Sequence, residues 1–436
     1  MGRKREVTTE KRRKLWIIPL VLVAAIIIAG VAVMTMRYMQ KQARDAQAES
    51  LYAQAEELLE QGRTEEAAEA FAALEGYADS GEQAGKLFYE QAEGLLAEGK
   101  ITYAAMAFGK AGDYKDARER SFALWDQFVD RDTVACLDLY YDVAAIRPDG
   151  TIIHTPDDGE SLHPLFVRMN PEWDVDRTAC DQWTDIIAID GSTALIGLKA
   201  DGTVVVSNNH WDLSDWTDIV DVCIGDDYVL GLKSDGTIVA EGEGEHGQTA
   251  AKEWTDIIAI TKEWYSVLGL RADGTVVTAG CELPSNWQAS DMQYIEYGQC
   301  EVSGWEDIVR VFSVDCGYIG IKADGSYVTS GNGEPYHYVP GNASGFVEVA
   351  RGISEPAVIQ EDGTLGCDWL PNGTNREDWH DLVALSSGLN YFVGTRSDGT
   401  VLLATMYEET ADAVDGWIVK IPTAPDFELI ASGFED

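Results

Sequence analysis

Residues able to do covalent, metal or acid–base chemistry are scattered through this chain, not gathered. The seven cysteines, Cys136, Cys180, Cys223, Cys281, Cys300, Cys316 and Cys367, contain no C-x-x-C pair, so no zinc or thioredoxin-like motif is marked. The six histidines, His154, His163, His210, His246, His337 and His380, form no H-E-x-x-H, and no G-x-S-x-G elbow occurs; zinc-hydrolase and serine-nucleophile chemistry thus lack a motif. Carboxylates abound, but none of their runs forms the D-x-D-x-D-G calcium loop. Among so many, some pair can fall at glycosidase spacing. A close pair in a central funnel, one member with a strongly raised pKa, is what a hydrolase would need. The expectation is no enzyme, no metal and no cofactor. A disulfide between Cys281 and Cys300, which bracket an insertion, is possible in an oxidising compartment.

Aromatic residues are more informative. Tyr228, Trp264, Tyr265, Tyr318 and Tyr391 stand at similar places in one set of loops, and Trp211, Trp287, Tyr336, Tyr338 and Trp369 in another. Loop aromatics carry binding hot spots, with packing between neighbouring elements as the competing reading for any one of them. Together they are the candidate partner-binding rim.

What positions that rim is a phrase repeated seven times. Apolar residues lead to Asp149-Gly150, Asp201-Gly202, Asp235-Gly236, Asp273-Gly274, Asp324-Gly325, Asp362-Gly363 and Asp398-Gly399, each followed by Thr except for Ser326. Asp-Gly between apolar runs predicts a hairpin with a tight two-residue turn, because Gly supplies positive φ cheaply. Upstream lie WTDIIAI (Trp183), WTDIVDV (Trp216), WTDIIAI (Trp254), WEDIVRV (Trp305) and WHDLVAL (Trp379), separated from their turn Asp by 18, 19, 19, 19 and 19 residues. FVEVARG at Phe346 and FELIASG at Phe427 keep the apolar pattern but hold Ala343 and Ala424 in the Trp slot. The Phe427 copy has no turn after it, and the first turn has no copy before it. The expectation is a mainly β, seven-bladed propeller over residues 135–436, closed by pairing the C-terminal strand with the N-terminal blade, which leaves no open edge.

W-x-D-I-V, the Gly about eight residues on, a small residue before K-x-D-G-T and AEGEGEHGQ (240–248) resemble the regulator of chromosome condensation repeat family over roughly residues 137–433. The resemblance implies a seven-bladed propeller of the bacterial, extracytoplasmic kind that works by binding. The best-known eukaryotic member is a guanine-nucleotide exchange factor. The His that often follows the post-strand Gly is mostly Tyr here, and nothing marks the exchange surface, so that activity is not carried over.

Residues 48–128 are rich in Ala, Glu, Leu and Gln with helical periodicity, and Ala55 onward realigns with Ala92 onward at an offset of 37. Each copy is a helix, a Gly break (Gly62, Gly99), a second helix and a turn with Tyr77 or Tyr114. This resembles tetratricopeptide helical hairpins over 45–130, an all-α stalk. Two copies are few for such an array; residues 116–128 act as a capping helix, or the hairpins lean on the propeller.

Leu15–Met36 is 22 residues without charge, long enough for one transmembrane helix. Residues 1–44 hold ten Lys and Arg against two Glu, most of the basic residues before the apolar run, within a chain of net charge −43. The positive-inside bias predicts a cytoplasmic basic segment at 1–14, a single-pass anchor at 15–36 and an extracytoplasmic remainder. A cleaved signal peptide is the alternative. The acidic remainder repels nucleic acid, so no nucleic-acid partner is expected.

The turns share one face of a propeller, and the other loops share the opposite face. The long connections, Thr155–Gln182, Ala279–Gly304 and 405–423, belong to that opposite face. The expected function is recognition there of an extracytoplasmic protein or cell-wall glycan, by a protein held to the membrane through Leu15–Met36. The alternatives are an envelope-bound glycan hydrolase using carboxylates in the propeller mouth, and a structural part of an envelope assembly that uses the helical stalk.

Overall fold

The structure is a computed structural model. It describes residues 34–74, 76–128, 131–137, 142–155, 177–192, 194–208, 210–263, 266–280, 298–314, 317–331, 346–350, 356–367, 370, 374–388, 391–405 and 413–422. The chain divides into two compact units, Met1–Phe88 and Tyr89–Asp436.

Five helices lead the described chain: α1 (residues 34–60), α2 (Thr64–Ala72), α3 (Ser80–Ala97), α4 (Ile101–Ala111) and α5 (Ala117–Trp125). The breaks fall at Gly62 and Gly99, with φ of 77° and 81°. The 37-residue repeat is written into contacts. In the first unit Tyr52 meets Phe71 and Tyr77 edge-on, at centroid distances of 5.1 and 6.0 Å, and its hydroxyl donates to Asp79. In the second unit Tyr89 meets Phe108 and Tyr114 at 5.2 and 5.7 Å and donates to Asp116 at 2.7 Å. Both turns pass through a left-handed residue, Ala78 (φ 52°) and Lys115 (φ 53°). Asp116 onward begins a third copy, in which Trp125 stands where Phe88 does. That copy stops after one helix. A 3-10 turn, Asp126–Phe128, ends it and the first strand begins at Val134.

Among the described residues seven antiparallel three-stranded sheets follow. They are β1–β3 (Val134–Leu137, Asp142–Ile146, Ile152–His154), β4–β6 (Ile186–Gly191, Leu195–Lys199, Val204–Val206) and β7–β9 (Ile219–Ile224, Tyr228–Lys233, Ile238–Gly242). Next come β10–β12 (Ile257–Glu263, Ser266–Arg271, Val276–Gly280) and β13–β15 (Ile308–Val314, Gly317–Lys322, Tyr327–Thr329). The last are β16–β18 (Phe346–Ala350, Ala357–Gln360, Leu365–Gly366) and β19–β21 (Leu382–Ser387, Tyr391–Arg396, Val401–Thr405). The first strand of each sheet packs on the first strand of the next, and β19 packs on β1. This is a β-propeller.

The Asp-Gly turns differ in type from the expected two-residue turn. The N–H of Gly150 donates to the Arg147 carbonyl at 2.9 Å, and that of Arg147 to the Thr151 carbonyl at 2.7 Å. Only the Gly is left-handed (φ 82°), so the turn is a type I turn closed by a Gly bulge. Asp is therefore freed from positive φ and caps the turn: Asp149 Oδ1 accepts from the Thr151 N–H at 3.0 Å and its hydroxyl at 2.6 Å. Ser326 serves Asp324 in the same way. Five of the turns are also stapled to the following sheet. The Gly carbonyls of 150, 202, 236, 274 and 363 accept from the N–H groups of Ile186, Ile219, Ile257, Ile308 and Leu382 at 2.9–3.0 Å.

The repeated Trp has one job. Its ring lies flat against a Gly in the second strand of its own sheet. A Cβ on Gly197, Gly231, Gly269, Gly320 or Gly394 would come within 2.7–3.0 Å of Trp183, Trp216, Trp254, Trp305 or Trp379 respectively. Where the Trp slot holds Ala343, the paired position is Val358, fully buried. The small residue and the large one thus exchange together.

The first sheet takes its Trp from the other end of the chain. Trp417 makes the same local bond as the others, its N–H to the Val414 carbonyl at 3.1 Å. Val414, Trp417 and Val419 cluster with Val134, Val143 and Ala145, and Ala145 holds the Gly position of that sheet. Val419 N–H reaches the Gly399 carbonyl at 2.9 Å and Lys420 N–H the Ile146 carbonyl at 2.7 Å. This corrects the expected closing strand. The place beside β2 is filled by β1, with Val134 opposite Ala145 and Leu137 opposite Asp142. Phe427–Gly433 lies outside the described residues.

Two further expectations change. Among the described residues no helix is long and apolar enough to cross a membrane. The single-pass topology and extracytoplasmic location are therefore not supported. Residues 1–33, with most of Leu15–Met36, lie outside the described residues, and Met34 and Met36 are exposed on α1. The second unit also begins at Tyr89 and not near 135, because α4 and α5 belong to the propeller.

The Trp-on-Gly contact predicts that Gly231→Ala, which places a methyl 2.7 Å from the Trp216 ring, lowers stability by about 1–3 kcal/mol, the usual cost of overpacking. Trp417→Ala should cost about 3–5 kcal/mol, as for other buried large aromatics. Urea unfolding midpoints check both.

Candidate binding site in the propeller channel

The first strands start at the Asp-Gly face and run to the opposite face, and they surround a cavity of about 240 Å³. Its Asp-Gly end is lined by Trp125 and Phe128 from the helical segment. These are 2% and 6% exposed, and the Trp125 indole N–H donates to the Ala272 carbonyl at 2.9 Å. The rest of α4–α5 seats on two turns. Phe122 lies over Gly236 and Met106 over Gly274, and Gly109 lies against the Ala272 carbonyl, where any Cβ would come within 2.3 Å. Arg118 reaches Asp256 at 3.0 Å and the Asp235 carbonyl at 3.2 Å. Within the second unit, α4 and α5 pack directly on the sheets.

Charged residues line the cavity, and most of them reach forward to the next sheet. Asp190 on β4 accepts from the Ile224 N–H of β7 at 2.8 Å. Asp221 on β7 accepts from its neighbour Val222 at 2.8 Å and from Ile260 of β10. Glu348 on β16 accepts from the Leu385 N–H of β19 at 2.6 Å, and Arg310 on β13 donates to the Val347 carbonyl of β16. Lys262 binds Asp190 at 2.7 Å and the Gly191 carbonyl at 2.8 Å. Arg310 and Glu348, 6% and 5% exposed, stand 3.9 Å apart, and the guanidinium lies over the Phe312 ring at 4.7 Å. These groups clamp neighbouring inner strands.

Asp221 is the perturbed one. It is half-buried in the cavity wall. Burial pushes its carboxyl up to about 7 and the nearby Asp190 charge adds to this, while the Val222 and Ile260 N–H groups and the Arg131 charge oppose it. The Cys223 thiol beside it is also raised by burial. In contrast Asp149, Asp201, Asp362 and Asp398, capped by their Thr hydroxyls, lie below the usual carboxylate range.

The aromatic rim fares unevenly. Tyr228, Tyr318 and Tyr391 are 0–1% exposed and are not rim residues. Tyr228 and Tyr391 wedge against Gly225 and Gly388 in the connection between first and second strands, where a Cβ would sit 2.1–2.3 Å from the ring. Tyr318 shares a hydrogen bond of 2.7 Å with Ser266. Each Tyr falls at the start of a second strand, where the chain must pack under its own turn. Trp211 is 9% exposed and meets His210 edge-on at 5.4 Å. Trp264, Tyr265, Trp287, Tyr336, Tyr338 and Trp369 lie outside the described residues, as does Cys281 of the expected disulfide. Among the described residues no cluster of three or more His, Cys, Asp or Glu could hold a metal ion.

Sequence reasoning missed the channel residues, yet a signal was there. In the aligned first strands one column reads Ala188, Asp221, Ala259, Arg310, Glu348 and Ala384. Charge in a column that elsewhere holds Ala marks an inward position with a partner.

No family model matches the chain, and no curated protein matches it. Solved structures do. The ectodomain of the Physcomitrella patens receptor kinase CR4 is 14% identical, covering 64% of this chain and 74% of its own, with a TM-score of 0.45. The WD40 ectodomain of the Arabidopsis thaliana receptor kinase ACR4 is 11% identical, covering 64% and 96%, with a TM-score of 0.44. Prp20p of Saccharomyces cerevisiae, described with its binding to Gsp1p and histones, is 14% identical, covering 66% and 75%, with a TM-score of 0.32. The propeller assignment itself rests on the pairing of the seven sheets.

The raised Asp221 carboxyl sets a pH dependence. Its folded-state pKa lies above the ordinary value, so the folded protein holds the proton more tightly. Stability relative to Asp221→Asn should fall as pH rises from about 4 to about 7 and level off above, by at most about 4 kcal/mol. Urea midpoints of both proteins across that range measure it; a constant difference would refute the assignment.

Proposed function

We propose that this protein is a binding scaffold without catalytic turnover, and that its partner is a protein engaging the propeller face opposite the Asp-Gly turns. The observation that carries the reading is occupancy. The helical segment already covers the turns at Gly236 and Gly274 and closes the channel there with Trp125 and Phe128. A second guest is left the other face. The third strands end at that face, so the long connections leave from it, and connections of this kind carry recognition. The exposed Glu243 and Asp226 lie there.

One observation favours the hydrolase reading: Asp221 in the funnel, close enough to feel Asp190, with a carboxyl raised to about 7. Against it, both carboxylates accept backbone N–H groups of adjoining strands. The cavity of about 240 Å³ is also smaller than the roughly 300–1,000 Å³ of ligand pockets. Recognition of a glycan has no comparable observation behind it.

A photo-crosslinking residue placed at Glu243 should capture the partner in cells, and one placed at Asp201, on the Asp-Gly face, should not. Capture from Asp201 alone would overturn the reading.

A further inference from the structure

We infer that the channel is a socket for an alkylammonium group, and that its natural occupant is a lysine side chain of the protein partner. The inference rests on the reading of the opposite face as the binding face. It adds the chemistry of the contact.

Size comes first. About 240 Å³ is room for about eight waters at roughly 30 Å³ each, or for one long side chain. The space is blind at the Asp-Gly end, where Trp125 and Phe128 stand, so an occupant enters from the other side. Charge comes second. Asp132, Asp190, Asp221 and Glu348 line the cavity against Lys262 and Arg310. Both cations are already engaged, Lys262 by Asp190 and the Gly191 carbonyl, Arg310 by Glu348 and the Val347 carbonyl. Asp221 accepts from the Val222 and Ile260 N–H groups, and the Arg131 charge acts on it without forming an ion pair among the described contacts. A carboxylate with no cation bonded to it is costly to bury, and a cation brought to it relieves that cost.

Depth comes third. Asp221 lies three residues into β7, near the blind end, while Lys262 and Ser387 lie six residues into β10 and β19, toward the opposite face. At about 3.3 Å per strand residue these levels are about 10 Å apart, so only a long flexible stem delivers charge to the bottom. An anion would meet four carboxylates, and an apolar group would leave Thr261, Ser313 and Ser386 on the wall without partners. An ammonium has three donors for the Asp221 carboxylate, and its stem passes the hydroxyls above.

The test uses the full chain and three probes: n-butylammonium, n-butanol and N-acetyl-lysine methylamide. Calorimetry at pH 7 should show both amines binding at least ten-fold more tightly than butanol. Because a cation favours the ionised carboxylate, each amine should release about half a proton, read from buffers of different ionisation enthalpy. Asp221→Asn should weaken both amines at least ten-fold and abolish the proton release. Thr261→Leu, which fills the cavity without touching the charge, should also weaken them. Butanol binding as well as the amines, or no proton release, overturns the socket. Tighter binding of 1,4-diaminobutane than of the lysine derivative by ten-fold or more makes the occupant a free polyamine and overturns the partner assignment. Loss of the Glu243 crosslink with the socket intact would instead strike the binding-face reading.

Discussion

A Trp ring laid on a Gly is the contact the propeller depends on. It lets the chain entering a sheet cross the second strand at van der Waals distance, which no side chain larger than hydrogen allows at Gly231 or Gly394. That crossing places the next residues, through the left-handed Asp185, Asp218, Asp256, Asp307 and Asp381, where the first-strand N–H meets the Gly carbonyl of the preceding turn. One packing event inside a sheet thereby sets the hydrogen bond between sheets. The delivery of Trp417 to the sheet holding Ala145 shows the same volume being filled by other means.

The channel obeys a second rule, that polar groups taken from water must be paired. The inner strands of neighbouring sheets diverge too much to pair as a ladder, so side chains bridge them. Asp190, Asp221 and Glu348 accept N–H groups across the gap, and Arg310 serves a carbonyl. The chemistry that would suggest catalysis in a list of residues is therefore first a means of holding strands. Asp221 differs because its hydrogen-bond donors are neutral N–H groups and the Arg131 charge acts on it only at a distance, and that residue is where structure and binding meet.

Much of the architecture was legible because it is local. The Asp-Gly-Thr phrase predicts every hairpin, and the Trp spacing predicts every first strand that carries one. The turn type was misjudged because Asp-Gly is also compatible with a Gly bulge, and only the hydrogen bond from Gly150 to Arg147 distinguishes them. The closing segment was misplaced because FELIASG matches the repeat in sequence, whereas Trp417 lacks the following Asp and matches it in contact. The tyrosines were assigned to a rim because their spacing reads as loop; it is loop, but one that folds back over Gly225 and Gly388. The channel charges could be seen only by aligning first strands column by column.

The third helical copy breaks off after one helix, and that helix ends with Trp125 inside the propeller. Two architectures thus share a single element, the last rung of one being the stopper of the other. A lineage that swapped its helical arm for another would have to keep residues from Tyr89 onward or leave the barrel floor open. The natural seam for such exchange lies inside α3, in the middle of a helix, and not in the short connection before the first strand.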